Sequence, residues 1–189
     1  GSTALSGGLL RQLEELFGVD GLSLQQRIAG VPMGAEGLRI LPGIAGERAP
    51  FWRPEARGEV RGWRVEHRRE HFFRAAMEAT AYRAARLAGE MIATGLSLST
   101  VRLAGGGSAM PLWNRIRAGA FGQVGVPETV VCFSGEATLL GGAIYSELAL
   151  LGGDPEQVSR RWVPEVAPVE PPAKKRSPLS LARQKLQRP

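Results

Sequence analysis

The chain has 189 residues, of which 43% are hydrophobic and 22% are charged, and its formal net charge is +6. This length is ample for one buried core, and the sequence contains no run of 18 apolar residues, which excludes a membrane-spanning helix. The single cysteine, Cys132, excludes an intramolecular disulfide framework and a cysteine-rich zinc site. These features predict a cytoplasmic protein with one folded domain, alone or followed by a tail.

The positive charge is concentrated near the C-terminus. Residues 154–189 contain eight basic and four acidic residues, together with seven of the 13 prolines. A proline-rich, basic segment buries too little apolar surface to offset the entropy lost on ordering, so we predict disorder over about 163–189. The basic cluster Lys174–Arg176 is typical of a solvated tail, and contact with a nucleic acid or another anionic surface is the alternative.

The body of the chain shows the spacing of helices that alternate with short strands. Four helices are predicted: Leu9–Phe17 before Gly18, about 69–94 before Gly95, one with Pro111 in its first turn, and one capped by Ser134 and closed by Gly152 and Gly153. Short apolar runs predict strands at Leu38–Leu41, Val101–Ala104 and Thr129–Phe133, with a further short strand around Val60. This alternation indicates an α/β fold.

A glycine-rich loop, Gly105–Ser108, follows a predicted strand and opens a predicted helix. Backbone N–H groups approach an anion closely in such a loop, and a helix N-terminus adds positive potential. The loop lacks the Gly-Lys-Ser/Thr of a P-loop, and Met110 stands where the dinucleotide fingerprint requires glycine. The residues alone therefore leave two interpretations open, a phosphate cradle and a plain tight turn.

A second candidate lies in the loop before the long helix. Glu47, Arg48 and Arg57 surround two aromatic residues, Phe51 and Trp52. This composition suits either a loop that holds a substrate phosphate or a loop that Trp52 fixes to the core.

His67 and His71 lie four residues apart and would share one face of a helix. No third ligand is close in sequence, and the neighbouring arginines would repel a cation. We therefore assign no metal ligands.

Five segments occur in the order LPGIAGERAPFW, PEARGEVRGW, HFFRAAMEATAY, RLAGGGSAMPLWNRI and SGEATLLGGAIYSELALLG. In this combination they resemble the C-terminal domain of the FGGY carbohydrate kinases, over about residues 5–152. The form of Gly46–Trp52 is most similar to the gluconokinase branch, and xylulokinase-like and glycerol kinase-like members come next. Trp63 departs from the pattern, because an aliphatic residue is usual there.

The resemblance implies a ribonuclease H-like, actin-type ATPase domain over residues 1–152, incomplete. The proline-rich basic tail over 153–189 has no counterpart in the resemblance, and its disorder is predicted from composition alone. In this family two such domains clamp ATP and sugar between them. The implied function is ATP-dependent phosphorylation of a sugar or sugar-acid hydroxyl, with ATP and Mg²⁺ as cofactors. The alternative is a non-catalytic nucleotide-binding or interaction module derived from a sugar kinase.

The resemblance also places the nucleotide contacts of the family. They fall on two residues near the N-terminus and on four residues of the adenosine-binding loop: Gly7, Arg11, Gly106, Gly107, Ser108 and Met110. Two positions depart from the family pattern. Met110 replaces the usual serine or asparagine, and Gly119 stands where an aspartate is general.

The resemblance further implies that the chain begins after the aspartate that the family uses as its base. The two aspartates present, Asp20 and Asp154, follow predicted helices, so no catalytic residue is assigned. The sugar contacts would come from an N-terminal domain, with a separate N-terminal half or a homo-oligomer as the partner. We expect neither a membrane nor a nucleic acid as partner. The remaining strands would expose an unpaired sheet edge, so we expect a chain that is marginally stable or associates.

Overall fold

The computed structural model describes residues 6–49, 51–133, 135–163 and 167–172. Within them the chain forms helices α1 (Gly7–Phe17), α2 (Gln25–Gly30), α3 (Arg69–Ala93), α4 (Pro111–Gln123), α5 (Ala137–Leu151) and α6 (Pro155–Trp162). The strands are β1 (Arg39–Leu41), β2 (Glu59–Arg61), β3 (Thr100–Ala104), β4 (Glu128–Phe133) and β5 (Ala167–Pro168). Among the described helices, none is both long enough and apolar enough to cross a membrane.

The strands form two small sheets. β1 and β2 pair antiparallel, with Ile40 opposite Val60. In the second sheet β4 lies between β3, which runs parallel to it, and β5, which runs antiparallel. Among the described residues β3 has a strand partner on one side only, as the end strand of any open sheet does, so the exposure of this edge to a partner stays a prediction.

The core is organised around α3. This helix contacts α4 most extensively and also packs against α1, α2 and β1. Alanines such as Ala76 and Ala81 are fully buried along it, and their small side chains allow close approach of neighbouring elements. Phe73, Met77 and Trp113 are the largest buried side chains at this centre. The helix predicted from this apolar spacing is confirmed, but residues Phe72–Glu78 are buried on every side of α3 rather than along one stripe.

Arg74 and Glu78 form a buried ion pair within α3, and Glu78 also binds the segment between α2 and β1. Glu78 accepts hydrogen bonds from the Nε of Arg74 at 2.6 Å and from the backbone N–H of Gly34, with both carboxylate oxygens, at 3.0 and 3.1 Å. Gly34 has a φ of +86°, a conformation that favours glycine. Both charged side chains are only 9% exposed, so each depends on the other for compensation.

The helix ends predicted from glycine are confirmed. Gly18, with φ +60°, follows α1, and Gly95, with φ +93°, follows α3 and its C-cap Thr94. Pro111 occupies the first turn of α4, as predicted. Ser134, the predicted cap of the next helix, lies outside the described residues, and that helix begins at Ala137.

The C-terminal segment contains structure that the sequence did not predict. α6 begins after Asp154, whose carboxylate accepts a hydrogen bond from the N–H of Glu156, so this aspartate caps a helix. β5 then pairs with the centre of β4. Of the stretch predicted to be disordered, residues 164–166 and 173–189 lie outside the described residues.

Helix α5 is apolar but unburied. None of its residues is buried, and Leu150 is 83% exposed, with Leu139 and Tyr145 nearly as accessible. α6 packs beside it, where Glu147 accepts hydrogen bonds from Arg161 and Trp162. An apolar helix with this much exposed surface is typical of a site that binds another protein segment.

Replacing Glu78 with glutamine tests the buried ion pair. E78Q leaves the Arg74 charge buried without a counter-charge, so we expect a loss of about 3 to 5 kcal/mol in the free energy of unfolding. Arg86 and Glu90 form a matched control with the same spacing on the same helix, because their side chains are 59% and 53% exposed. E90Q should cost at most about 0.5 kcal/mol. Equal losses in urea unfolding of the two variants would contradict the assignment.

Replacing Leu139 and Leu150 with lysine tests the α5 surface. We expect the purified chain to self-associate, because no described segment covers the exposed apolar face of α5, and we expect the double variant to sediment as a monomer. Leu22 and Val65 are also exposed but lie away from α5, and their lysine variants serve as the control. A wild-type chain that sediments as a monomer at all micromolar concentrations would refute this expectation.

Candidate functional site

The glycine-rich loop forms an open turn between β3 and α4. Gly105 has a φ of +82°, which the chain needs to leave the strand, and a single 3-10 turn spans Gly106–Ala109. Gly106 is exposed, and a Cβ added to it would meet no atom within 4 Å. The N–H groups of Gly106 and Gly107 donate to no acceptor in the described part of the chain. The turn therefore presents open backbone donors.

Ser108 closes this turn from the inside. Its hydroxyl donates to the carbonyl oxygen of Gly105 at 2.7 Å, and its backbone N–H donates to the same oxygen at 2.9 Å. Ser108 is buried, and its own carbonyl accepts a 2.6 Å hydrogen bond from the Nδ2 of Asn114. The serine stabilises the shape of the turn through these bonds.

Trp113 explains why residue 107 is a glycine. A Cβ at Gly107 would lie 3.0 Å from the Cζ3 of Trp113 and 3.2 Å from the Nη2 of Arg117. Trp113 is itself 1% exposed, and its indole N–H donates to the carbonyl of Met77 at 3.2 Å. Since the ring is anchored to α3, a larger residue at 107 would displace the turn.

Arg117 places a positive charge beside the turn. Its guanidinium carbon lies 3.5 Å from the centre of the Trp113 ring, and its Nη1 donates to the carbonyl of Gly107 at 3.1 Å and to the Oδ1 of Asn114 at 3.3 Å. Burial lowers the pKa of Arg117 from its usual value to about 10, so it remains protonated at neutral pH. Among the described carboxylates, none lies within ion-pairing distance of it.

Arg117 and Asn114 are site residues that the sequence analysis missed. Their one signal was spacing, because Asn114 follows Trp113 by one residue and Arg117 follows it by four, on the helix that the glycine loop opens. Composition gave no reason to prefer Arg117 over the other arginines of the chain.

The structure also shows the surroundings of Met110 and Gly119, the two residues that depart from the family pattern. Met110 is half-buried against the hydrophobic core, and its carbonyl accepts the N–H of Asn114 in the first turn of α4. A Cβ at Gly119 would lie 3.1 Å from the Cδ of Pro172. An aspartate at 119 would therefore have to displace Pro172.

Gly7 and Arg11 lie on a separate element, the first turns of α1. No atom lies within 4 Å of a Cβ added to Gly7, and Arg11 lines a shallow surface pocket with Glu14, Glu15 and Asp20. Among the described residues, no hydrogen bond or ion pair connects them to the glycine turn. The structure thus groups Gly106–Met110 in one turn, and a role for Gly7 and Arg11 stays a prediction.

The remaining sequence candidates have local contacts. Asp20 accepts hydrogen bonds from the N–H groups of Leu22 and Ser23 in the turn after α1. The Nδ1 atoms of His67 and His71 accept the backbone N–H groups three residues earlier, which shapes the start of α3.

The proposal that Trp52 fixes its loop to the core is wrong. Trp52 is 71% exposed, so it contributes little burial. The loop is held instead by the ion pairs of Glu47 with Arg53 and Arg83, and by the guanidinium of Arg86, which lies 4.4 Å from the ring centre of Phe51. The phosphate-binding alternative for this loop therefore remains open.

Comparison with known proteins matches most of the described residues. The family model described as "FGGY family of carbohydrate kinases, C-terminal domain" matches residues 6–150. A glycerol kinase of Beijerinckia indica subsp. indica is 32% identical over 152 residues, covering 79% of this chain and 29% of that protein. A gluconokinase of Bacillus licheniformis is 34% identical over 138 residues, covering 68% of this chain and 25% of that protein.

Solved structures show the same fold. The structure of Plasmodium falciparum glycerol kinase with ADP superposes with a TM-score of 0.71 at 21% identity, covering 98% of this chain and 37% of that one. The fold is accordingly part of an actin-like ATPase domain, as the sequence predicted, and the chain spans about a third of the length of the relatives that it matches. The chain belongs to the FGGY family of carbohydrate kinases, and residues 6–150 match its C-terminal domain.

Proposed function

We propose that this chain is the nucleotide-binding part of an ATP-dependent carbohydrate kinase. The observation that carries the proposal is the turn at Gly105–Ser108, with open N–H groups on Gly106 and Gly107 and the Arg117 charge beside it. Backbone donors at the start of a helix suit an anion, and glycine allows it to approach the main chain.

The turn fits ATP better than it fits a metal ion. The space above Gly106 that a side chain would otherwise occupy is open, so a nucleotide can lie directly against the backbone there. ATP bound at this place supplies the phosphoryl group for transfer. Among the described residues, no three His, Cys, Asp or Glu side chains lie together in a way that could hold a metal ion. These residues therefore do not fit Mg²⁺, and we propose that it enters with the nucleotide phosphates.

The chain does not complete a kinase active site by itself in this proposal. Phosphoryl transfer needs a carboxylate that orients and deprotonates the acceptor hydroxyl. Asp20 and Asp154 are each engaged in a local turn or cap. We propose that a further kinase segment supplies the base and the sugar contacts and covers α5, whose apolar residues are exposed here.

The acceptor in this proposal is a sugar or sugar acid. The relatives reported above are named glycerol kinase and gluconokinase, which both phosphorylate a hydroxyl group. The loop around Gly46–Trp52 is most similar to the gluconokinase branch, which favours a sugar acid.

Replacing Gly106 with valine tests the nucleotide site directly. The new side chain meets no protein atom close to the backbone, so stability should change by less than about 0.5 kcal/mol, while the side chain occupies the space proposed for the nucleotide. We expect ADP affinity, measured by isothermal titration calorimetry, to fall by at least about tenfold. Gly122, on α4, is equally open, and G122A is the control that should bind ADP normally.

If G106V binds ADP as tightly as the wild-type chain, the turn is not part of the nucleotide site.

Co-expression with the N-terminal part of a family kinase distinguishes a kinase from a non-catalytic nucleotide-binding module. Restored ADP release that depends on both ATP and sugar supports the kinase. ADP binding that persists without any restored activity supports a non-catalytic module.

A further inference from the structure

A groove of about 630 Å³ lies between the β1–β2 hairpin with its loop and the outer face of α3. It is formed by other elements than the glycine turn. Its charged lining is dominated by guanidinium groups, with five arginines and three glutamates: Arg53, Arg57, Arg61, Arg83 and Arg86, with Glu47, Glu55 and Glu59. The groove thus combines a cavity large enough for a small metabolite with an excess of positive charge.

Arg83 is the buried centre of this groove. Its side chain is only 10% exposed, and its Nη1 donates to the carbonyl of Pro42 at 3.1 Å. Its Nε and Nη2 are buried and form no hydrogen bond in the described part of the chain. Nη2 lies 3.3 Å from the Oε1 of Glu47, which is an electrostatic contact without hydrogen-bond geometry. Buried N–H groups of a guanidinium without an acceptor are costly, and an incoming anion would satisfy them.

Glu47 cannot neutralise the groove by itself. Its Oε2 accepts two hydrogen bonds from Arg53, from Nε at 2.9 Å and from Nη2 at 2.5 Å. The same carboxylate is the ion-pair partner of Arg83. One negative charge therefore faces two guanidinium groups, of which Arg53 has the better geometry.

The remaining arginines of the groove do not reduce its excess of positive charge. Arg57 donates to the carbonyls of Pro54, Glu55 and Ala56, which carry no formal charge. Arg61 is paired with Glu59, and Arg86 with Glu90, which is not part of the groove lining. Arg57 is therefore a second cation at the groove whose described acceptors are all neutral.

We propose that this groove binds an oxyanion, the phosphate or carboxylate group of a small metabolite. The anion accepts hydrogen bonds from the Nε and Nη2 of Arg83 and is attracted by Arg53 and Arg57. A guanidinium offers parallel N–H groups that match two oxygens of a phosphate or carboxylate, which is the pairing that the unsatisfied Arg83 donors allow. The site uses the loop that the sequence analysis singled out as a possible phosphate-binding loop.

Calorimetric titration of the full chain tests this site. Inorganic phosphate and acetate are the two probes, at neutral pH and at an ionic strength held constant with chloride, so that a phosphate source and a carboxylate source are distinguished. We expect saturable binding of at least one probe and a loss of about tenfold in affinity in R83Q. E47Q removes the competing carboxylate charge and should tighten binding by about threefold or more. Arg115 is exposed on α4, and R115Q is the charge-matched control that should leave the affinity unchanged.

The two variants change affinity in opposite directions, so the test does not depend on one of them folding. If circular dichroism shows that R83Q is unfolded, E47Q alone decides the outcome. Absence of saturable binding of both probes, or an E47Q variant that binds no more tightly than wild type, overturns the proposal. ADP affinity at the glycine turn should be unaffected by R83Q, so this result is independent of the nucleotide-site proposal.

Discussion

The buried indole of Trp113 connects the core of this protein to its candidate site. Its N–H donates to the carbonyl of Met77 in α3, and its ring favours glycine at residue 107. The same ring carries the guanidinium of Arg117, which in turn holds the carbonyl of Gly107. The open turn is therefore supported by the largest fully buried side chain among the described residues, an arrangement that suits ligand binding.

Three largely buried arginines differ in how their positive charge is compensated. Arg74 is compensated by Glu78 and fixes the loop at Gly34. Arg117 is compensated by an aromatic face and neutral oxygens, at the expense of a lowered pKa. Arg83 retains buried N–H groups for which the described part of the chain offers no hydrogen-bond acceptor. Arg74, which is fully paired, has a structural role. Arg117 and Arg83, which are not fully paired, lie at the two places where we infer anion binding.

The sequence predicted those elements whose local signals agree with their packing. Helix α3 was predicted from apolar spacing and a terminal glycine, and both signals agree with a helix that is buried in the core over its first half. Helix α2 was missed because it has six residues and buries only Ile28, which is too short a pattern to detect. β5 has two residues, one of them Pro168, and exists through its pairing with β4. The glycine turn was found, but Arg117 was not, since its importance arises from a tertiary stack on Trp113.

The central claim is that the turn supported by Trp113 binds the nucleotide through its backbone. The most direct measurement is a two-dimensional proton–nitrogen NMR titration of the chain with ADP. The account predicts saturable shifts of the Gly106 and Gly107 amide resonances, together with the guanidinium resonance of Arg117, because open N–H groups acquire an acceptor. Shifts confined to other parts of the chain, with both glycine amides unchanged at saturating ADP, would contradict it.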